Sequence, residues 1–255
     1  MRLVRSLPFT ALAAAVFVGA CSSDSSVGPS DHQPADLSQV LSEMTLAGVS
    51  PAISMSPVSV NLGAPTPGSC GYNGTDSFVC PTVTAGGLTI SQSYSLFDQS
   101  GTAQSAFSTT STAAVRTTTT AIGTVSSQGD VLHIDHKQVL TLSGLLTGKH
   151  VLDGTLLSKV DGTSTLGGMT FPHSDVVSTL IDRVELPRSG TSTTPWPLSG
   201  SITTTATSQQ SGVPDISLTI RIVFNGTSRV PVTITAPGFS QTCFLDLSAG
   251  APTCS

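Results

Sequence analysis

The most constraining feature of this chain is a two-residue period in hydrophobicity towards its C-terminal end. Ile216, Leu218, Ile220, Ile222 and Phe224 alternate with Asp215, Ser217, Thr219 and Arg221. Successive side chains of an extended chain point to opposite faces, so this pattern buries one side and wets the other only as a β-strand. Asn225-Gly226 then offers a tight turn, and Val230, Val232, Ile234 and Ala236 repeat the alternation. One-sided strands joined by short turns belong to antiparallel sheets with one wet face.

The same period runs back through most of the chain. Leu88, Ile90, Tyr94 and Leu96 share one face, and Thr89, Ser91, Ser93 and Ser95 the other. Further strands are expected over residues 103–108, 115–125, 130–142, 151–160, 176–186 and 198–207, with a closing strand near 243–247. Residues 50–84 are rich in Pro and Gly and read as one or two short edge strands around 52–62, followed by a loop. The 39 serines and 36 threonines supply most of the polar surface, a composition that favours strands over helices. Sheets of ten or so twisted strands do not stay flat. The fold class is therefore mainly β: a single strongly curved antiparallel sheet, as a barrel, half-barrel or sandwich, with one short N-terminal helix. A transmembrane barrel would need aromatic girdles, whereas aromatics are 5% of this chain.

The helix is expected over residues 37–47. Asp36 can cap it with Gln39 three residues on, Leu37, Val40, Leu41 and Met44 form one apolar stripe, and Gly48 can end it. Its polar face offers Ser38, Ser42 and Glu43 and no basic residue, so packing against the sheet, on its concave side, suits it better than a membrane surface.

The N-terminal segment carries an address. Arg2 and Arg5 precede an apolar run from Leu7 to Val18, the layout of a secretory signal and too short for a spanning helix. Val18-Gly19-Ala20-Cys21 resembles the lipobox of bacterial lipoproteins. That resemblance implies cleavage before Cys21 and acylation of its thiol, with about 0.8 kcal/mol of membrane affinity per buried methylene. It also implies outer-membrane sorting in a host with two membranes, because Ser22 and Ser23, not Asp, follow the cysteine. The chain then divides into a signal peptide (1–20), a polar tether (21–35) and one antiparallel β domain (36–255). Loss of residues 1–20 moves the formal charge from −5 to −7, since two arginines leave and no acid does. An acidic chain with so few Lys and Arg is not suited to nucleic acid. The expected partners are the membrane, through the lipidated N-terminus, and an apolar small molecule or an envelope protein.

With Cys21 lipidated, four cysteines remain, as suits an oxidising compartment. Three pairings are possible. The economical one joins Cys70 to Cys80 and Cys243 to Cys254, each across a loop with turn residues; the first loop contains Asn73-Gly74, a hairpin signal. Tyr72 and Phe78 in that loop are either ligand contacts or a cover for the loop's own core. No Cys/His spacing suits zinc, and no cofactor is expected.

The stretch His133-Ile134-Asp135-His136 is the best place to look for chemistry. On a strand, His133, Asp135 and Lys137 project from one face, and His136 from the other with Ile134 and Leu140. His150, or His173-Ser174-Asp175, would have to complete a metal or proton-transfer site. Lys137 repels a cation there, and a polar outer face explains the cluster equally well. No G-x-S-x-G, S-x-x-K, H-E-x-x-H or phosphate-binding glycine loop occurs. No catalytic, metal or cofactor residue is therefore assigned. Threonine rows at 116–120 and 203–207 lack the fixed repeat of an ice-binding solenoid and read as cross-strand pairs on a solvent face. Three functions compete: a non-enzymatic envelope lipoprotein that binds or supports, a carrier of an apolar ligand held between curved sheet and helix, and an envelope hydrolase using His133 or His150.

Overall fold

A computed structural model of the chain describes residues 67–127, 130–166, 169–187, 195–211, 214–248 and 251–254. The signal segment, tether, expected helix and expected edge strands at 52–62 lie outside the described residues. A turn of 3-10 helix, Pro67–Ser69, precedes fourteen strands. The first five are β1 (Gly71–Tyr72), β2 (Phe78–Val79), β3 (Val83–Ala85), β4 (Leu88–Phe97) and β5 (Ala103–Gln104). Five long ones follow: β6 (Ala114–Ser127), β7 (Asp130–Ser143), β8 (His150–Leu166), β9 (Met169–Leu186) and β10 (Ser199–Gln210). The last four are β11 (Ile216–Val223), β12 (Arg229–Ala236), β13 (Phe239–Asp246) and β14 (Ala251–Cys254).

All fourteen form one antiparallel sheet in the order β1-β2-β4-β6-β7-β8-β9-β10-β11-β12-β13-β14, with β3 and β5 beside β4. The protein is a meander, and mainly β. It is not closed: β1 and β14 end the order without pairing to one another. The barrel form is thereby corrected to an open sheet. Both ends are short strands inside disulfide-closed segments, and a short edge offers little ladder for closure or for a foreign strand. Cys243 and Cys254 are cross-strand partners on β13 and β14, with Cα atoms 4.3 Å apart. Cys70 and Cys80 bracket β1 and β2, with Cα atoms 4.0 Å apart.

Register decides which residues share a face. Tyr94, Thr117, Leu140, Gly154, Ile181, Ile202, Ile222, Val232 and Cys243 are successive cross-strand partners from β4 to β13. This is the buried face. Its main core contains Leu96, Val115, Leu142, Leu152 and Ile181, and a second cluster contains Ile220, Ile222, Val230, Val232 and Leu245. A third, Leu88, Leu132, Ile134 and Val160, lies towards the far ends of β4, β7 and β8. The opposite face carries Thr118, Val139, Thr155, Leu180, Thr203, Arg221, Thr233 and Thr242 in one row.

Three local features depart from the sequence expectation. β8 and β9 run several residues further than 151–160 and 176–186. Asp161-Gly162 looks like a turn but stays extended, because β7 pairs through Val131↔Thr163 on one side and β9 through Gly162↔His173 on the other. A Cβ at Gly162 would lie 2.8 Å from the Val131 carbonyl oxygen, backbone held by the strand pairing, so this strand position needs glycine for space. The two Asn-Gly sites form five-residue loops, not two-residue turns. The Asn73 side-chain oxygen accepts from the amides of Thr75, Asp76 and Ser77, and Asn225 accepts from that of Thr227, so asparagine organises a wider loop.

The third departure is a bulge in β9. Leu152 pairs with Val184 but Gly154 with Ile181, and Ser199 pairs with Glu185 but Ser201 with Asp182. Arg183 is the inserted residue and has φ 47°, a left-handed conformation seen at no other non-glycine among the described residues. Its amide donates to Asp153 Oδ1 at 2.8 Å. By absorbing one residue, the bulge lets Val184 follow Ile181 into the core and leaves Arg183 exposed.

Candidate functional site

The structure separates the histidine cluster by face, as alternation dictates. His133, Asp135 and Lys137 lie on the outer face, where His133 is the cross-strand partner of Asp161, and Asp161 of Ser174. The Ser174 hydroxyl donates to Asp161 Oδ1 at 2.6 Å, and Lys159 Nζ lies 2.8 Å from Oδ2. The Lys159 and Ser174 hydrogen bonds hold the Asp161 carboxyl below the usual carboxylate range. Here the serine hydroxyl is engaged by a carboxylate, not by an imidazole, and the lowered pKa of that carboxylate makes it a weak base. His173 and Asp175 lie on the other face, with Nε2 and Oδ2 3.7 Å apart. His150 begins β8 opposite Leu186, eleven residues along the strand from Asp161. The structure thus brings Ser174 to the His133 end of the outer face, leaves His173 and Asp175 at the same end on the opposite face, and places His150 at the far end of β8. No group of three or more His, Cys, Asp or Glu side chains among the described residues is placed to hold a metal ion.

A different arrangement stands out on the buried face. His136 follows Ile134 inward, and its cross-strand neighbours are Ala121 and Ser158. One step along, Gln138 lies between Thr119 and Leu156. His136, Gln138, Ser158 and Thr119 are each at most 6% exposed, so four polar side chains form a patch between the Leu88 cluster and the main core. His136 Nε2 is buried and has no hydrogen-bond partner among the described residues. Burial pushes the pKa of this imidazole down, against the opposing pull of Asp135, so the neutral ring is favoured. A buried polar atom without a partner costs about 1–3 kcal/mol, so this patch opposes the stability of the sheet. By contrast, Thr179 and Thr204 on the same face satisfy each other at 3.0 Å.

The patch was partly legible. His136 stood with Ile134 and Leu140 in the alternation, which placed it inward. Gln138, Ser158 and Thr119 carry the same parity on their strands, but a polar residue at an inward position has no motif to announce it. Other sequence candidates resolve as structure. Phe78 stacks on Tyr94 with ring centroids 4.7 Å apart, and Tyr72 lies 5.1 Å from Phe78 while its hydroxyl donates to the Thr75 carbonyl. These aromatics cover the disulfide loop. Of the threonine rows, Thr205 pairs with Thr219 across strands at 3.3 Å on the outer face, but alternation turns Thr117, Thr119 and Thr204 to the buried face, so the expected solvent-facing arrangement is corrected to alternate residues only.

No protein-family model matches this chain, and neither the curated proteins nor the solved structures offer a match.

Proposed function

We propose that this protein is a cell-envelope lipoprotein, anchored through an acylated Cys21, whose open antiparallel sheet acts as a non-enzymatic binding or supporting module. The observation that carries the reading is the order of Arg2, Arg5, the apolar run 7–18 and Val18-Gly19-Ala20-Cys21. Oxidised Cys70–Cys80 and Cys243–Cys254 pairs agree with export to an oxidising compartment. Ser22 and Ser23 direct it to the outer membrane of a diderm host. Intact mass spectrometry of the full precursor expressed in a bacterial host tests this. A chain beginning at Cys21 with added acyl mass is expected, together with loss of membrane association in Cys21→Ala. An unmodified N-terminus at another residue overturns the reading.

A second reading is favoured by the buried patch. Polar groups at His136, Gln138 and Ser158 between two aliphatic clusters suit a carrier of a largely apolar molecule with one neutral polar group. Native mass spectrometry of the gently extracted protein decides it. A retained non-covalent lipid that is lost in His136→Leu supports the carrier, and an empty wild-type protein excludes it.

A further inference from the structure

We infer that the outer face carries a second site, at the β9 bulge, for a small amino-carboxylate zwitterion such as an aliphatic amino acid or a dipeptide. A surface cavity of about 380 Å³ opens there, at the lower end of the range for small-molecule sites. Its charged lining comes from Asp182, Arg183, Glu185 and Arg221, and Ser199 and Ser201 line it too, the Ser199 hydroxyl donating to Glu185 Oε2 at 3.5 Å.

Cations are scarce in this chain, with ten Lys and Arg in all. Of the four arginines among the described residues, Arg116 lies over the Phe97 ring and Arg229 over that of Phe244. The other two, Arg183 and Arg221, have neither a ring nor a carboxylate partner among the described residues, and both residues line this one cavity. Glu185 is already engaged by Lys149 at 3.4 Å. Asp182 has no such partner. The lining thus includes two arginines and one aspartate with no ion-pair partner among the described residues. Guanidinium forks recognise a carboxylate bidentately, whereas Asp182 repels a dianion such as phosphate and accepts an ammonium. Val151 and Val223 supply a short apolar wall.

The backbone is built to keep the cavity open. Arg183 is held in its left-handed conformation by the Asp153 carboxylate, and Gly200 lets β10 approach it: with φ +97°, a Cβ at Gly200 would lie 2.3 Å from the Arg183 carbonyl oxygen. Strain maintained by specific partners is characteristic of binding sites.

Isothermal titration calorimetry of the oxidised protein tests the assignment with valine and glycyl-valine, each beside its N-acetyl and C-terminal amide derivative. The zwitterions are expected to bind, and each blocked derivative to bind at least about tenfold more weakly, as loss of one charge-assisted pair implies. Arg221→Gln and Arg183→Gly should abolish the preference for a free carboxylate, and Asp182→Asn the preference for a free ammonium. Glycine suits the φ of residue 183 and Arg221 is exposed, so these variants should retain the wild-type melting curve. Failure of both zwitterions to bind, equal binding of the blocked forms, or unchanged binding by the variants overturns the site. The acyl mass at Cys21 is read separately, so the anchor and this site fail independently.

Discussion

The buried face behaves as two regions of different chemistry. Across β11 to β13 its side chains are aliphatic: Ile220, Ile222, Val230, Val232 and Leu245, closed at the edge by the Cys243–Cys254 bridge. Across β6 to β8 the same face, in the same register, holds Thr119, His136, Gln138 and Ser158 among leucines and valines. Both regions obey the same alternation and both are buried. The aliphatic region is explained by packing alone. In the polar region, burial of an unpartnered imidazole nitrogen opposes stability, so packing alone does not explain it.

The contrast can be broken most directly in the aliphatic region. Leu245→Ala should lower unfolding stability in urea by about 3–4 kcal/mol, through lost burial and the cavity left behind. An effect no larger than that of substituting His136 would show that the two regions do not differ in kind. The double substitution Cys243→Ser and Cys254→Ser should cost about 2–3 kcal/mol, chiefly by freeing the unfolded chain, and this is read from the same denaturation curves with and without reductant.

The polar region should respond in the opposite sense. His136→Leu removes the orphaned nitrogen while keeping comparable volume, so stability should hold within about 1 kcal/mol or rise. A loss like that of Leu245→Ala would mean that the imidazole is well satisfied. Acid sharpens the test. Because burial depresses the folded pKa of His136, the unfolded chain binds more protons once the pH falls below about 6.5, the ordinary histidine value. Stability is therefore complete above that pH and declines as the pH falls, until the folded ring also protonates. His136→Leu should remove this component of the decline, measured as the melting temperature between neutral and mildly acidic pH. The smallest effect belongs to the outer face. Thr205→Val breaks a half-exposed hydroxyl pair with Thr219 and should shift stability by no more than about 0.5 kcal/mol.

Most of the sheet was legible because alternation is local. The stretches from Leu88 to Ala236 that alternated became strands, except that the one expected over 103–108 shrank to the two residues Ala103–Gln104, and the parity of residues 133–137 put His133 outward and His136 inward. The extension of β8 through Asp161-Gly162 was not legible, since a turn-forming pair was overruled by strands on both sides. Neither was β14, whose four residues are a strand because Cys254 is bonded and paired to Cys243. The bulge left only the trace of Ile181 and Val184 falling three apart where two was due.

What the sequence determined by itself was whatever depends on neighbours along the chain: the strand class, the face of each side chain, the economy of two short disulfide loops and the expectation of an anchored N-terminus. The remaining features depend on partners remote in sequence. The sheet stays open because its two ends do not pair, His136 is left without a hydrogen-bond partner among distant strands, and Arg183 and Arg221 meet at one cavity through β10. Register across strands is a long-range property, and it converts a local pattern of faces into particular neighbours.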